Sequence, residues 1–262
     1  LSPPRPGKRE GTARSRPGRP AGDRPRTSEP GPSGRGQQPT APERLRRGIL
    51  AGAARLGIEL DDEAVDGLLA HVDELRTWAP RLNLVSAGDL ADPTALVERH
   101  VVDSLAALPV VAETSARPRI LDLGSGAGFP GIPIAVALRP ACALLVEPRL
   151  RRASFLRSVA RRLPGVALEV AACRAEELPA RALGEGFDVV VSRATLALSD
   201  LLVAAARCLV PGGRLVAFRG PGQAARRGDP PPAVGLLRRP DHLYRVAPEA
   251  PEMRLEVWEK RR

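Results

Sequence analysis

Leu121-Asp122-Leu123-Gly124-Ser125-Gly126-Ala127-Gly128-Phe129-Pro130-Gly131, continuing into IPIA (132–135), joins an apolar run to a glycine cluster and then to a helical pattern. RILDL (119–123) predicts a buried strand, the glycines a tight turn, and the residues near 131–138 a helix. Glycine lets a backbone turn sharply and approach a ligand with no Cβ in the way. Outward from this point the same rhythm repeats. Strands are predicted at 119–123, 142–146, 166–170, 187–191 and 213–218, and helices near 131–138, 149–162 and 199–208. Near-continuous apolar strands alternating with helices predict an α/β fold, a mostly parallel twisted sheet covered by helices on both faces. The stretch 235–259, after the Pro-rich 229–232, adds one or two antiparallel strands.

Upstream of the sheet the spacing is helical throughout. Leu45, Ile49 and Leu50 suit a first helix; Val65, Leu68, Leu69, Val72 and Leu75 suit a second, capped by Asp61 and expected to end near Trp78 because Pro80 follows. A third starts at Asp92-Pro93 and runs to about Leu108. The expected organisation is a disordered Arg/Pro/Gly-rich tail (1–42), a small helical N-terminal cap (43–110) and a ligand-binding α/β domain (111–262). The tail holds nine basic and three acidic side chains, so +6 of the formal charge of +10 lies there. A basic excess favours a polyanionic partner. With 43% hydrophobic residues the 262-residue chain can build a core, mostly of Ala, Val and Leu because aromatics are 3%. Cys142, Cys173 and Cys208 lie far apart, which excludes a disulfide framework and a zinc site; no metal is expected. No apolar run reaches the ~18 residues of a membrane helix, and a Pro/Arg-rich start is unlike a secretion signal. A soluble, cytoplasmic, monomeric protein is expected.

Two cofactors compete for the glycine loop. Gly126, Gly128 and Gly131 satisfy the dinucleotide pattern GxGxxG, but Pro130 and Pro133 crowd the helix start that would cradle a pyrophosphate. The overlapping Asp122-x-Gly124-x-Gly126-x-Gly128 is the acidic GxGxG form used for S-adenosylmethionine, whose ammonium Asp122 can help hold. Glu147 ends the second strand about twenty residues further on, where an acid accepts from ribose hydroxyls. Ala175 and Glu176 follow the third strand, where a methyltransferase grips adenine, and Arg193 follows the fourth, at the mouth of the site. These positions favour a Rossmann-like S-adenosylmethionine-dependent methyltransferase.

With these residues in view the chain resembles the bacterial small-subunit ribosomal RNA guanine-N7 methyltransferase family, also called glucose-inhibited division protein B. The matching segments are RLNLVS (81–86), ERHVVDSL (98–105), LDLGSGAGFPGIPIA (121–135), RAEEL (174–178) and VVSRA (190–194), with GGRLVAFRG (212–220) matching more loosely. The resemblance implies transfer of a methyl group from S-adenosylmethionine to N7 of guanine 527, in the 530 loop of 16S ribosomal RNA in the small subunit. It maps the family's cofactor contacts onto Gly124, Phe129, Ala175, Glu176 and Arg193. Arg219-Gly220 stands where the family usually has Lys-Gly, and a basic Pro/Gly-containing C-terminal tail common in the family is not evident here.

Guanine N7 has an in-plane lone pair and no proton, so its methylation needs no general base, only alignment and exclusion of water. No indispensable acid–base residue is therefore expected, and His71 reads as a helix surface residue. For RNA, candidates are Arg99, His100, Arg151, Arg152 and Arg219, with His100 alternatively tying the third helix to the sheet. Arg149, Arg151, Arg152, Arg157, Arg161 and Arg162 make the helix after the second strand cationic. Phosphate contacts of this kind supply affinity, not choice of base. The alternatives are a methyltransferase for a small-molecule acceptor, a nicotinamide-dependent oxidoreductase and a non-enzymatic RNA-binding module.

Overall fold

Apolar five-residue runs bounded by turn residues become the centre of one twisted sheet. The computed structural model describes residues 40–139, 141–179, 184, 186–193, 197–220 and 235–262. Strands β1 (Arg119–Leu123), β2 (Cys142–Val146), β3 (Ala167–Ala171), β4 (Phe187–Arg193) and β5 (Leu209–Arg219) pair in parallel. They are followed by β6 (Leu236–Arg238), β7 (His242–Tyr244) and β8 (Met253–Lys260). β8 runs antiparallel to β5, and β6 and β7 both pair with β8. The order is β3-β2-β1-β4-β5-β8-β6. It reverses between β1 and β4, so the crevice beyond their carboxyl ends is the place where such sheets take ligands. β1 and β2 have the limits expected from sequence. β3 begins one residue late, β4 and β5 extend further, and three antiparallel strands stand where one or two were expected.

Alternation along each strand divides the core between the two faces. Ile120, Val189, Val191, Val216 and Phe218 join one buried cluster with the helices before β1, while Leu121, Leu123, Val190, Leu215 and Trp258 join the other. Each fully buried Leu, Ile or Val contributes about 1.5–3 kcal/mol of transfer free energy. From residue 39 onward the chain forms one compact unit.

Helix α1 (Ala41–Arg55) starts two residues before the expected Glu43, because the Thr40 side chain caps it by accepting from the Glu43 amide. The rest of the predicted tail, 1–39, lies outside the described residues, as do Ala194 and the 229–232 stretch. Asp61 caps α2 (Asp62–Leu82) as expected, accepting from Ala64 N at 2.7 Å. The expected stop near Trp78 is wrong: α2 runs through Pro80 to Leu82. Pro80 sits in the last turn, where the only backbone bond it forfeits is to the solvent-facing Arg76, and buried Ala79 on the other side holds the turn in place. A short helix not foreseen, α3 (Ala87–Ala91), follows, then α4 (Pro93–Leu96), capped by Asp92. The expected third helix continues from α4 as a π-helical segment, Val97–Val102, and α5 (Asp103–Leu105), before α6 (Leu108–Ala112). Helices α7 (Gly131–Ala137), α8 (Leu150–Arg162) and α9 (Leu198–Cys208) link the strands.

Candidate active site

The glycine loop is built from β1 outward. Where β1 ends, the amides of Gly124 and Ser125 both donate to Val146 O, at 2.9 and 3.0 Å, which pins the turn to the end of β2. Gly124, Gly126 and Gly128 have φ of 78°, 54° and 85°, values that side chains other than glycine rarely adopt. At Gly128 a Cβ would also collide with Ile132 and His71. At Gly131, which opens α7, it would meet the Asp122 carboxyl at 2.6 Å.

That contact shows what Asp122 does. Its side chain is fully buried and accepts from Gly131 N at 3.0 Å. Burial pushes its pKa up to about 7, against the pull of the Gly131 amide. Asp122, expected to meet a ligand ammonium, is not among the residues lining the cleft: it lies buried between β1 and α7 and holds the loop from beneath. Glu147 is the acid that reaches the cleft. Its carboxylate accepts from Gly126 N at 3.0 Å and Arg149 N at 2.9 Å, tying the second and first strand ends together.

The resulting cleft, about 390 Å³, is walled by Gly124, Ser125, Gly126, Phe129, Glu147 and Arg193, with Leu84, Arg149 and Arg152 at its edge. Ala175 and Glu176 are not brought into its lining. They sit on a one-turn 3-10 helix after β3, Ala175 packed against the core and Glu176 exposed.

Behind the loop lies a group of rings. Phe129 stacks on His100 at a centroid distance of 5.2 Å and meets the tilted ring of His71 at 4.7 Å, and the Arg193 guanidinium lies 5.2 Å from its centre. His71 is fully buried, correcting its expected place on the surface; its Nε2–H donates to Ala127 O at 2.8 Å. Burial lowers its pKa to about 4, so it stays neutral. Its position follows from spacing: with Leu68 and Leu75 it shares the apolar stripe of α2.

His100 is spoken for on both ring nitrogens. Nε2 donates to Asp89 at 3.1 Å, and Nδ1 accepts from Arg193 at 2.9 Å. Burial, then the Arg193 charge, hold its pKa below the ordinary histidine value. Arg193 also donates to Asp103 at 3.0 Å, and Asp103 accepts from Tyr244 OH at 2.5 Å. One chain of contacts, Asp89–His100–Arg193–Asp103–Tyr244, thus crosses five elements. His100 therefore ties the helices to the sheet.

The remaining candidates divide. Arg99 is exposed and paired with Asp89 at 2.9 Å. Arg219 is largely buried and donates to Glu256 at 3.2 Å. Arg151 is exposed, and Arg152 donates to Asn83 O at 3.1 Å. With Arg81 and Arg149 these last two form a cationic surface between the end of α2 and the start of α8, beside the cleft. Leu84 and Asp103 lie in the matching segments RLNLVS and ERHVVDSL without a role assigned from sequence, and no motif marks Tyr244.

A mostly parallel sheet that reverses at β1, with an acidic GxGxG turn and a buried acid at the end of β2, defines the Rossmann-like methyltransferase class. Comparison with known proteins narrows it: the family GidB, rRNA small subunit methyltransferase G, matches residues 65–226, and the chain belongs to that family. It is similar to the ribosomal RNA small subunit methyltransferase G of Syntrophotalea carbinolica, with 38% identity over 64% of this chain and 74% of that one. The protein of that name from Desulfotalea psychrophila is 36% identical over 66% and 77%. Among solved structures, magnesium protoporphyrin IX methyltransferase from Synechocystis PCC 6803 is similar with 13% identity, covering 72% of this chain and 97% of that one at a TM-score of 0.49. Among the described residues no helix is long and apolar enough to cross a membrane.

Proposed function

We propose that this enzyme transfers the methyl group of S-adenosylmethionine to N7 of a guanine in 16S ribosomal RNA, guanine 527 of the 530 loop, working as a cytoplasmic monomer on the small subunit. The observation that carries it is the glycine cleft closed by Glu147 in a chain whose relatives are named for small-subunit ribosomal RNA.

The cleft suits the cofactor chemically. Gly124 and Gly126 leave it unobstructed by side chains, and Glu147, already anchored by two amides, keeps lone pairs for ribose hydroxyls. The edge arginines Arg149 and Arg152 match a carboxylate. Asp122 acts from below by fixing Gly131, Gly128 permits the turn, and Phe129 forms the apolar wall beside Arg193. Ala175 and Glu176 would meet adenine through movement of the turn after β3. When bound, the cofactor supplies an electrophilic methyl on a sulfonium. The chain's own work is to hold N7, methyl carbon and sulfur in line and to exclude water, with no general base. The helices of 43–110 cap the 111–262 sheet and carry His100 and Asp103 to Arg193. The arginines at 81, 149, 151 and 152 attract RNA phosphates.

The test is transfer of labelled methyl to small subunits lacking this modification, followed by mapping. Label at N7 of the 530-loop guanine is the expected result. Cofactor binding with no transfer to subunits or 16S RNA would overturn the substrate and leave a small-molecule acceptor.

A further inference from the structure

Between the end of α2 and the start of α8 lies a groove of about 510 Å³. Its rim carries Arg81, Arg149, Arg151 and Arg152, its apolar surface is Leu82 and Leu150, and among the described residues no carboxylate lines it. The two banks are tied together. The left-handed backbone of Asn83 (φ 46°) ends α2, and Arg152 donates to the Asn83 carbonyl at 3.1 Å. The rim charge is uncompensated: Arg46, Arg99, Arg139 and Arg162 each meet a carboxylate, whereas among the described residues Arg81, Arg149 and Arg151 form no side-chain ion pair. Leu150 is the odd member of α8. That helix buries Ala153, Phe155, Leu156 and Val159. Leu150, in its first turn, is 70% exposed, the most of any large apolar side chain among the described residues. A solitary exposed Leu is ordinary on a protein surface; one ringed by unpaired arginines has a chemical meaning. A site for phosphate alone gains nothing from a leucine at its centre, but a nucleotide brings both a phosphate and the apolar face of a base.

We propose that Leu150 is a stacking contact for an unstacked base of the RNA, a near neighbour of the acceptor in the strand, whose phosphates the surrounding arginines hold; this rests on the methyl-transfer function proposed above. Proteins read single-stranded RNA by laying splayed bases on flat side-chain surfaces, and leucine is among the apolar side chains that insert between bases. Position favours RNA over another anionic surface. Arg149 and Arg152 line both this groove and the glycine cleft, so a strand that brings one nucleotide to the methyl donor runs its neighbours across the groove. The arginines supply affinity along the backbone, and Leu150 supplies a contact that only an unpaired base can make.

The full chain tests this as Leu150→Ala and Leu150→Trp, two changes at an exposed position that should keep melting temperature and S-adenosylmethionine affinity. The probe is single-stranded RNA of about ten nucleotides. Its affinity should fall about fivefold in Leu150→Ala and rise about fivefold in Leu150→Trp, with indole fluorescence quenched beyond that of the parent on binding. The slope of log Kd against log salt should match the parent in both, because no phosphate contact is lost. Affinities within twofold of the parent in both variants would overturn the stacking contact. So would a loss accompanied by a flatter slope, which would mean that Leu150 merely props the arginines. Unchanged RNA binding with weakened binding of Leu150→Ala to phosphatidylglycerol vesicles would reassign the groove to a membrane surface. Each of these results leaves the proposed function standing if the parent methylates small subunits. If the parent transfers no methyl to subunits, the function fails, and the base seated here, no longer the neighbour of an acceptor, falls with it.

Discussion

His100 is neutral, with Nε2–H directed at Asp89 and the Nδ1 lone pair occupied by Arg193. A proton on Nδ1 would turn an acceptor into a donor facing a guanidinium, so acid releases Arg193 from the wall of the glycine cleft. Burial and Arg193 depress the His100 pKa below 6.5. The neutral form, and with it the Arg193 contact, is therefore complete above 6.5 and is lost as pH falls through the lowered value. Methyl transfer is expected to show an acid limb centred below 6.5. In His100→Asn, whose amide oxygen accepts from Arg193 without titrating, that limb should vanish. Superimposable kcat/KM–pH profiles for the two enzymes would show that His100 does not position Arg193. At this scale sequence revealed partners close along the chain and hid distant ones. The place of His71 was available from its spacing with Leu68 and Leu75, whereas nothing local joins Asp103 to Tyr244 or His100 to Arg193.

Among elements, the turn between β1 and α7 tolerates least. Gly128 combines a φ of 85° with a Cβ direction already filled by Ile132 and His71. Gly128→Ala should cost about 2–4 kcal/mol through left-handed strain and overpacking. Denaturant unfolding checks this; a loss below about 1 kcal/mol would mean that the loop moves to make room. This turn was fully legible, because glycine spacing states backbone demands directly. So were β1 and β2, whose apolar runs end at turn residues. Less was legible where two rules compete. Pro80 signals a stop, yet the packing of Ala79 carries α2 one turn further. The three-residue strands β6 and β7 are too short for alternation to register, and they exist because β8 offers an edge to pair with.

For the molecule as a whole, the mostly parallel sheet was legible in its alternating strands and helices, the place of the cofactor cleft in the glycine turn after β1, and the strand order in neither. A second cleft, about 640 Å³, at the carboxyl ends of β4 and β5 did not follow, since it assembles residues around positions 98–103, 193, 218–220 and 246–253. Charge acts at this scale too. Replacing Arg81 and Arg151 together by Ala should weaken RNA binding and flatten the logarithmic salt dependence by about one and a half units, at about 0.7–0.9 per lost phosphate contact. Cofactor affinity should hold; an unchanged slope would place the RNA on another face. Arg193, meanwhile, lines two clefts at once. A ligand in either one would press on the same guanidinium, so occupancy of one cleft is thermodynamically linked to occupancy of the other. Linkage is reciprocal: whatever factor a ligand in one cleft applies to the dissociation constant in the other is returned in full.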